Sequence, residues 1–534
     1  MFYLNSLVQV GNLNGITLST KFFELLSETP EEAAMWVLQT LSYSTTMVSS
    51  NPEKWLEDEL NKIQKGNVIL PTSTSIQLDD GLIWVYRVNV SPTKIYCIER
   101  EAEVSNRVTR EYIDVIDNFI RVSFIEEDSS GLGSQALATP DDRTGQSDVY
   151  RRIVQVVKEG IRLQDKHFEF LAFSSSQLRD QSVWMFAQAG DVTANSIREW
   201  MGNFLDIRNV AKCAARMGQC FSSTTKTLPV ESWEVEYIDD IETEDGKYCF
   251  SDGIGEISFS FAKRVAAKCG CHGIVPSAFQ IRYGGFKGVV AVSHESLHKL
   301  ALRNSMKKFE SVHFDLEVIS WSKRLPCYLN REIITLLSTL GIEDDVFEEM
   351  QDLVLSKLNE VVSDVSVALD ILQMTSSGAT HHTAVEMLKS GYHPKREPYL
   401  LSLLQAFRAF QLLQLRTKSR ILVSKGRTMM GCLDETGILE YGEVFLRVSS
   451  FPGTRSFIDD DLVYEEDGKC VVTGPVVVAK NPCLHPGDVR VLLAVDIPEL
   501  HHMVDCVVFP QRGSRPHPNE CSGSDLDGDL YFVT

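Results

Sequence analysis

Strand-rich and helix-rich stretches alternate along this chain, and this alternation limits its possible folds more than any other feature. Short strand-like segments punctuated by glycine dominate residues 233–293, and strands resume near residue 420 and continue to the carboxy terminus. Between them, residues 330–420 predict helices over 331–340, 345–373 and 398–415, each with apolar side chains along one stripe at helical spacing. The pattern therefore predicts an α+β protein in which a helical segment separates two β-units.

The amino-terminal third mixes both element types. Residues 1–75 predict helices, and the two runs 81–90 and 94–98 predict paired strands. The Gly- and Ser-rich stretch 126–147 predicts a flexible insertion, whereas residues 196–216 predict a helical stretch. A region with its own strands and helices is thus expected before the first β-unit.

Three aspartates at every second position, Asp525, Asp527 and Asp529, lie near the carboxy terminus. In an extended segment alternate side chains point the same way, so the three carboxylates can converge. Gly528 allows the backbone to bend around an ion. Mg²⁺ takes such oxygen ligands and commonly holds substrate phosphates as well, so the motif predicts a magnesium site for phosphoryl or nucleotidyl transfer.

Two other interpretations of the aspartates are less favoured. An EF-hand calcium loop starting at Asp525 would need glycine where Leu530 stands and a glutamate beyond Thr534. An acidic surface turn is the second alternative, because Asp-Gly is a common turn pair. The flanking residues Cys521 and 530–533 are apolar and strand-like, which favours the metal site.

The distribution of charge differs from its average. The net charge of −21 argues against a nucleic-acid partner, since phosphate binding needs clustered Lys and Arg. No Asp or Glu lies between Ile257 and His294, however, and a second acid-free run spans 415–427. The first run includes Arg282 and Lys287. A basic channel in an acidic protein is one interpretation, and a solvated surface is the other.

The composition favours a protein that stays inside the cell. Hydrophobic residues make up 43% and charged residues 23%, an ordinary globular balance. The amino terminus lacks the pattern of a signal peptide, and no stretch has the roughly 18 apolar residues of a membrane span. The 12 cysteines are scattered, as expected of reduced thiols. The one tight group, Cys269-Gly-Cys271-His272, lacks a second cysteine pair at zinc-ribbon spacing, which favours buried or idle thiols over zinc.

A lysine flanked by glycines stands in the first β-unit. In Tyr283-Gly-Gly-Phe-Lys-Gly288 the backbone could approach a phosphate closely, and the Lys287 ammonium could reach one of its oxygens. A solvated lysine in a hairpin turn is the alternative interpretation.

Several motifs together resemble one family. The run Cys521–Asp529 and the pattern Lys480-Asn-Pro-Cys-Leu-His-Pro-Gly-Asp-Val-Arg490 are similar to those of the eukaryotic RNA-dependent RNA polymerases of RNA silencing, especially the plant members. Residues 426–437, 170–179 and 214–222 resemble the same family. The resemblance therefore extends over almost the whole chain.

The resemblance implies two double-psi β-barrels that face each other, joined by a helical neck and preceded by a slab-like region. The implied regions are 1–228 for the slab, 229–325 for the first barrel, 326–418 for the neck and 419–534 for the second barrel. In this arrangement Asp525, Asp527 and Asp529 bind the catalytic Mg²⁺. The resemblance also implies contacts from basic and amide side chains, in which Lys287 touches phosphate and Lys480 and Asn481 contact the ribose. Contacts to the RNA backbone are implied for four arginines: Arg282, Arg427, Arg512 and Arg515. The alternative for these four is that they are surface arginines beside turns.

The activity implied by the resemblance is the copying of single-stranded RNA into double-stranded RNA from nucleoside triphosphates. The product would feed a Dicer-type nuclease in RNA silencing, within the cell and in the nucleus rather than the cytoplasm, with no membrane partner. Family members continue past the aspartates into a head region, which this chain is expected to lack. A truncated, non-catalytic remnant that binds RNA or a partner protein is therefore the alternative function, and a metal-dependent hydrolase is a third.

Overall fold

The structure is a computed structural model, and it describes residues 2–42, 51–66, 78, 81–133, 147–163, 165–271, 273–375, 379–450 and 464–534. Most of the predicted flexible insertion, residues 134–146, and His272 lie outside the described residues. Internal contacts divide the chain into two units, Met1–Lys226 with Phe309–Ser311, and Thr227–Lys308 with Val312–Thr534. The four regions implied by the resemblance are finer than this division and stay predictions.

The first unit contains one mixed sheet and several helices. Its six strands are β1 (Leu82–Val90), β2 (Ile95–Val104), β3 (Phe119–Phe124), β4 (Ile161–Leu163), β5 (Lys166–Ala172) and β6 (Ser182–Ala187), in the order β2-β1-β3-β6-β5-β4. Its described helices are α1 (Phe2–Val10), α2 (Thr20–Glu28), α3 (Glu31–Ser42), α4 (Pro52–Gln64), α5 (Arg107–Glu111), α6 (Asp148–Glu159), α7 (Ser175–Arg179), α8 (Ala194–Met201) and α9 (Val210–Gly218).

The helical stretch predicted over 196–216 is interrupted in the structure, which has the two helices α8 and α9 there. Gly202 ends α8 with φ +149°, a conformation that favours glycine. Asn209 then begins α9, and its side chain accepts a hydrogen bond from the Lys212 backbone N–H at 2.9 Å. Helical periodicity on both sides of the break hid these two end signals.

The second unit begins with a seven-stranded sheet, called the open sheet below. Its strands are β7 (Thr225–Pro229), β8 (Val235–Ile238), β9 (Ile254–Ser258), β10 (Ala278–Tyr283), β11 (Phe286–Ser293), β12 (Leu300–Arg303) and β13 (Asp315–Trp321), in the order β7-β13-β10-β11-β9-β12-β8. The sequence analysis predicted mainly strands here and did not identify α10 (Phe259–Lys268), which lies among them. Its buried Phe261, Ala262, Val265 and Ala266 recur at helical spacing and pack on the core of the open sheet.

Five helices follow the open sheet, where the sequence predicted three: α11 (Arg331–Thr339), α12 (Asp344–Glu360), α13 (Val365–Thr375), α14 (Ala379–Lys389) and α15 (Pro398–Lys418). The single helix expected over 345–373 is instead α12 and α13. Asp364 causes the break, since its carboxylate accepts hydrogen bonds from the backbone N–H groups of Ser366 and Val367 and so caps a new helix. In the part of the chain that the structure describes, no helix is both long and apolar enough to cross a membrane.

The last sheet of the second unit closes on itself. Its strands are β14 (Pro326–Tyr328), β15 (Leu422–Leu433), β16 (Glu443–Ser449), β17 (Lys469–Val471), β18 (Gly474–Lys480), β19 (Arg490–Ala494), β20 (Cys506–Phe509) and β21 (Leu530–Val533), with the short helix α16 (His517–Glu520) before β21. Strand β21 pairs with both β18 and β15, which completes the ring β15-β20-β16-β19-β18-β21. This ring is called the closed barrel below.

One apolar core joins the open sheet to the closed barrel. Ala278, Val289 and Ala291 of the open sheet pack in the same buried cluster as Phe445, Phe509 and other barrel residues. Burial of apolar side chains is the main favourable contribution to folding. The loop that carries the three aspartates leads into β21, so it is anchored where the two sheets meet.

Candidate active site

The three aspartates lie on a bent loop before β21, not on an extended strand as the sequence suggested. The bend occurs at Gly528, whose φ is +123°. Two anchors hold the loop: the Leu526 N–H donates to the Asp252 carbonyl at 2.9 Å, and the Tyr531 hydroxyl donates to the Asp525 carbonyl at 2.9 Å. The carboxylates therefore converge because the loop folds around them.

The geometry of the three carboxylates suits a cation. One oxygen from each of Asp525, Asp527 and Asp529 lies within 4.8 Å of the others. The Asp527 N–H donates to Asp525 Oδ1 at 3.1 Å, and the Asp525 N–H donates to Asp529 Oδ2 at 3.2 Å, which fixes both side chains. A set made only of carboxylate oxygens is typical of hard divalent ions. The residues could thus hold a metal ion.

The same proximity has an electrostatic cost. Burial, followed by the neighbouring charge of Asp527, raises the pKa of Asp525 to about 6 from its ordinary value of 3.8. The like charge of Asp527 therefore adds to burial in disfavouring ionisation of Asp525. A bound cation would remove this cost, so the electrostatics of the site favour positive charge.

Two lysines approach the triad from different strands. The Lys287 ammonium of β11 donates a hydrogen bond to Asp527 Oδ2, and the Lys480 ammonium at the end of β18 donates to Asp529 Oδ2. Lys480 stands opposite Tyr531 in the β18–β21 register, and Lys287 stands opposite Arg282 in the β10–β11 hairpin. The fold therefore brings each lysine to an aspartate that is distant in sequence: Lys287 lies 240 positions from Asp527, and Lys480 lies 49 positions from Asp529.

Three residues that the sequence did not single out, two just before β9 and one in β10, also contact this loop. Gly253, with φ +86°, lies so close to Asp527 that an added Cβ would stand 2.5 Å from the Asp527 Cβ. The Gln280 side chain donates to the Asp527 carbonyl at 3.3 Å. Asp252 has a pKa raised by burial, an effect that the nearby Lys308 opposes. In the sequence Ser251-Asp-Gly253 is typical of a simple turn, so only its partner across the fold could have revealed this contact.

Asn481, predicted to contact the ribose, follows Lys480 directly. Its Oδ1 accepts a hydrogen bond of 2.9 Å from Asn330 Nδ2, at the start of α11. Asp488 closes the loop after it, accepting from the backbone N–H groups of Leu484 and His485 and from the Ser522 hydroxyl. The loop that carries Asn481 is therefore tied to the turn that precedes the aspartates.

The four predicted arginines occupy other positions. Arg282 and Arg427 are buried, and each donates to the carbonyl of the preceding residue. Arg512 is exposed and pairs with Glu440 at 3.2 Å, whereas Arg515 donates to the side chain and carbonyl of Asn519. These contacts do not join the arginines to the triad, and their RNA-binding roles stay predictions.

Comparison with known proteins identifies the family. The sequence profile described as RNA dependent RNA polymerase matches residues 90–534. The chain belongs to the RNA-dependent RNA polymerase family. This confirms the family resemblance of the motifs around Asp525–Asp529 and Lys480–Arg490.

Relatives of this polymerase chain are found in plants. "RNA-dependent RNA polymerase 1" of Arabidopsis thaliana is 51% identical over 540 residues, covering 100% of this chain and 47% of the relative. "Probable RNA-dependent RNA polymerase 1" of Oryza sativa subsp. japonica is 53% identical over 444 residues, covering 82% of this chain and 58% of the relative. The chain thus spans about half the length of the curated relatives it matches.

A solved structure shows the same fold. "RNA dependent RNA polymerase QDE-1 from Thielavia terrestris" superposes with a TM-score of 0.68 at 19% identity, covering 95% of this chain and 62% of that chain. This likeness confirms the predicted α+β fold with a double-psi β-barrel polymerase core.

Proposed function

We propose that this polymerase chain is the catalytic part of an RNA-directed RNA polymerase that copies single-stranded RNA into double-stranded RNA. The observation that carries the proposal is the convergence of Asp525, Asp527 and Asp529 within 4.8 Å, with the ammonium groups of Lys287 and Lys480 beside them. Three acids with two flanking cations match the needs of nucleotidyl transfer: a metal for the reacting oxygens and fixed positive charge for a triphosphate.

Mg²⁺ is the ion proposed for the triad. The donors are all carboxylate oxygens, and the raised pKa of Asp525 shows that the site favours added positive charge. When bound, the ion would supply charge neutralisation at the α-phosphate and activation of the attacking 3′-hydroxyl.

The flanking residues have separate proposed roles. Lys287 would donate hydrogen bonds to an oxygen of the triphosphate or of the nascent strand, from its position beside the turn of the β10–β11 hairpin. Lys480 and Asn481 would contact the hydroxyls of the incoming ribose. Arg282, Arg427, Arg512 and Arg515 remain candidates for contacts to the RNA backbone.

The product and setting follow from the same proposal. Double-stranded RNA made by this enzyme would be cut by a Dicer-type nuclease and used in RNA silencing, with the nucleus as the proposed compartment. All 12 cysteines are free, which supports a reducing environment. Imaging of the tagged protein in its own cells tests the compartment, and exclusion from the nucleus would contradict it.

Nucleotide incorporation tests the proposed activity. The protein encoded by the full transcript should extend RNA on a single-stranded template only when Mg²⁺ is present, and Asp527→Ala should lower the rate by at least about 100-fold. Asp245→Ala is the matched control, because Asp245 is an exposed turn residue that, among the described residues, pairs with the neighbouring Lys247 and Thr243. An active Asp527→Ala variant would contradict the metal site. RNA binding that weakens steeply with salt but gives no incorporation would instead favour the non-catalytic remnant.

A further inference from the structure

Helix α11 begins at a residue whose side chain has a fixed orientation. Asn330 is the N-cap, and its Oδ1 accepts a hydrogen bond of 2.8 Å from the Ile333 backbone N–H. Asparagine is among the preferred N-cap residues because its oxygen satisfies a backbone donor that the helix leaves unpaired. The cap therefore decides which end of the Asn330 amide faces the helix.

The other end of the Asn330 amide must be its nitrogen. The oxygen and nitrogen of an amide side chain are distinguished by their partners, and here the helix N–H requires the oxygen. Nδ2 consequently points away from α11, where it donates to Asn481 Oδ1 at 2.9 Å. Since a donor needs an acceptor, this contact fixes the orientation of the Asn481 amide as well.

The second amide is left with its donors free of protein partners. Within the part of the chain that the structure describes, Asn330 is the one hydrogen-bond partner of the Asn481 side chain, which is exposed. Asn481 Nδ2 therefore keeps two N–H groups for a ligand. The preceding residue, Lys480, reaches the triad through Asp529, which places this loop beside the proposed nucleotide site.

We infer that Asn330 is a positioning residue for sugar recognition: it holds the Asn481 amide so that N–H groups, not the carbonyl oxygen, face the 2′-hydroxyl of the incoming nucleotide. This inference rests on the proposed function. A ribose hydroxyl accepts such a hydrogen bond, and a 2′-deoxy sugar offers no acceptor there. Discrimination for ribonucleotides then depends on a helix cap that never touches the substrate.

Nucleotide analogues reveal which end of the Asn481 amide faces the sugar. The affinities of ATP, 2′-deoxy-ATP and 2′-fluoro-2′-deoxy-ATP are measured by competition in Mg²⁺. Because fluorine can only accept a hydrogen bond, the parent protein should bind ATP most tightly, then the fluoro analogue, then the deoxy analogue. Fluorine facing a carbonyl oxygen would instead be repelled.

Two variants at the cap change this pattern in different ways. Asn330→Asp keeps the cap but replaces Nδ2 by an oxygen, which reverses the Asn481 amide and should lower the preference for the fluoro over the deoxy analogue by roughly threefold or more. Asn330→Ser keeps the cap and loses the contact, so its preference for ATP over 2′-deoxy-ATP should fall by roughly threefold. Asn209→Asp, at the equivalent cap of α9, should leave both ratios unchanged.

The outcomes separate the inference from the proposed function. Unchanged ratios in both Asn330 variants, or a parent protein that extends RNA without distinguishing ATP from 2′-deoxy-ATP, would overturn the role of Asn330 alone. A parent that shows the expected binding ratios but incorporates no nucleotide would overturn the polymerase activity and leave the role of Asn330 supported.

Discussion

At the scale of single residues, the acids and the lysines of the site restrain one another. Lys287 and Lys480 neutralise Asp527 and Asp529, yet a divalent ion would need the same oxygens. The lysine side chains are 25% and 22% exposed, so their charges are only partly screened by water. Metal affinity is therefore a balance between the triad and its two flanking cations.

Removal of the Lys287 charge should separate metal binding from catalysis. Lys287→Met should tighten Mn²⁺ binding by roughly threefold to tenfold, because a competing cation is lost. Electron paramagnetic resonance measures this binding. The same variant should lower nucleotide incorporation by at least about tenfold if Lys287 contacts phosphate. Lys247→Met, at an exposed pair with Asp245, is the control and should change neither quantity. Weaker Mn²⁺ binding in Lys287→Met would show that the lysine supports the metal site rather than competing with it.

The raised pKa of Asp525 predicts how stability depends on pH without metal. A carboxyl whose pKa is about 6 in the folded protein and 3.8 when unfolded contributes stability that is present below pH 3.8 and is lost as the pH rises through 6. Asp525→Asn carries no such charge. It should therefore be more stable than the parent at pH 7, by on the order of 2 kcal/mol, with the difference shrinking toward pH 4.

Thermal unfolding in a chelator across pH 4–7 measures this difference. Asp245→Asn should not show it, because hydrogen bonds to Lys247 and Thr243 lower the pKa of that exposed carboxyl. A parent protein as stable as Asp525→Asn at pH 7 would contradict the electrostatic cost at the triad.

At the scale of elements, the site depends on a close approach between the open sheet and the aspartate loop. Gly253 and Gly246 both have positive φ, +86° and +65°, a backbone conformation in which alanine is strained. Only Gly253 faces the loop, where a Cβ would lie 2.9 Å from the Asp527 Cα, and nothing lies within 4 Å at Gly246. Gly253→Ala should therefore shift the triad.

The matched pair of variants tests this approach. Gly253→Ala should weaken Mn²⁺ binding and lower incorporation by at least about tenfold, whereas Gly246→Ala should lose only about 1 kcal/mol of stability, as expected for positive φ alone. Equal activity in the two variants would show that the contact between Gly253 and Asp527 is not needed for the site.

Sequence patterns predicted the elements better than their ends and their neighbours. Strands such as β18 and β20 follow from runs of β-branched residues, and both lie in the stretch after residue 420 for which strands were predicted. The breaks at Gly202 and Asp364 were missed, because apolar periodicity continues across them while a single glycine ends one helix and a single aspartate begins another. Local signals also could not place Gly253 or Asn330 in the site, since their partners lie 274 and 151 residues away. The triad itself was predictable because its ligands lie within five consecutive residues.

At the scale of the whole molecule, an ion pair ties the open sheet to the closed barrel in the second unit. Arg303 is 3% exposed and donates to both carboxylate oxygens of Glu435 at 2.9 and 2.8 Å, as well as to the carbonyls of Asp239 and Ile254. A bidentate pair of this kind has a defined geometry. The pair connects Arg303, the last residue of β12, to Glu435 in the loop that follows β15.

A double-mutant cycle measures this connection. Arg303→Ala should destabilise the protein by about 3 kcal/mol in urea unfolding, because Glu435 and two carbonyls lose a buried partner. The coupling energy with Glu435→Ala should reach at least about 1.5 kcal/mol. The exposed pair of Lys247 and Asp245 should give a much smaller coupling in the same assay. Similar coupling in the two pairs would contradict a structural role for the Arg303 contact.

The most direct test of the central claim follows the fate of a labelled single-stranded RNA template. The protein encoded by the full transcript, given Mg²⁺ and nucleoside triphosphates, should convert this RNA into a duplex that resists single-strand-specific ribonuclease. Each template base should select its complementary nucleotide, and Asp527→Ala should give no duplex. Untemplated addition of nucleotides, or duplex formation by Asp527→Ala, would contradict an RNA-directed polymerase site at Asp525, Asp527 and Asp529.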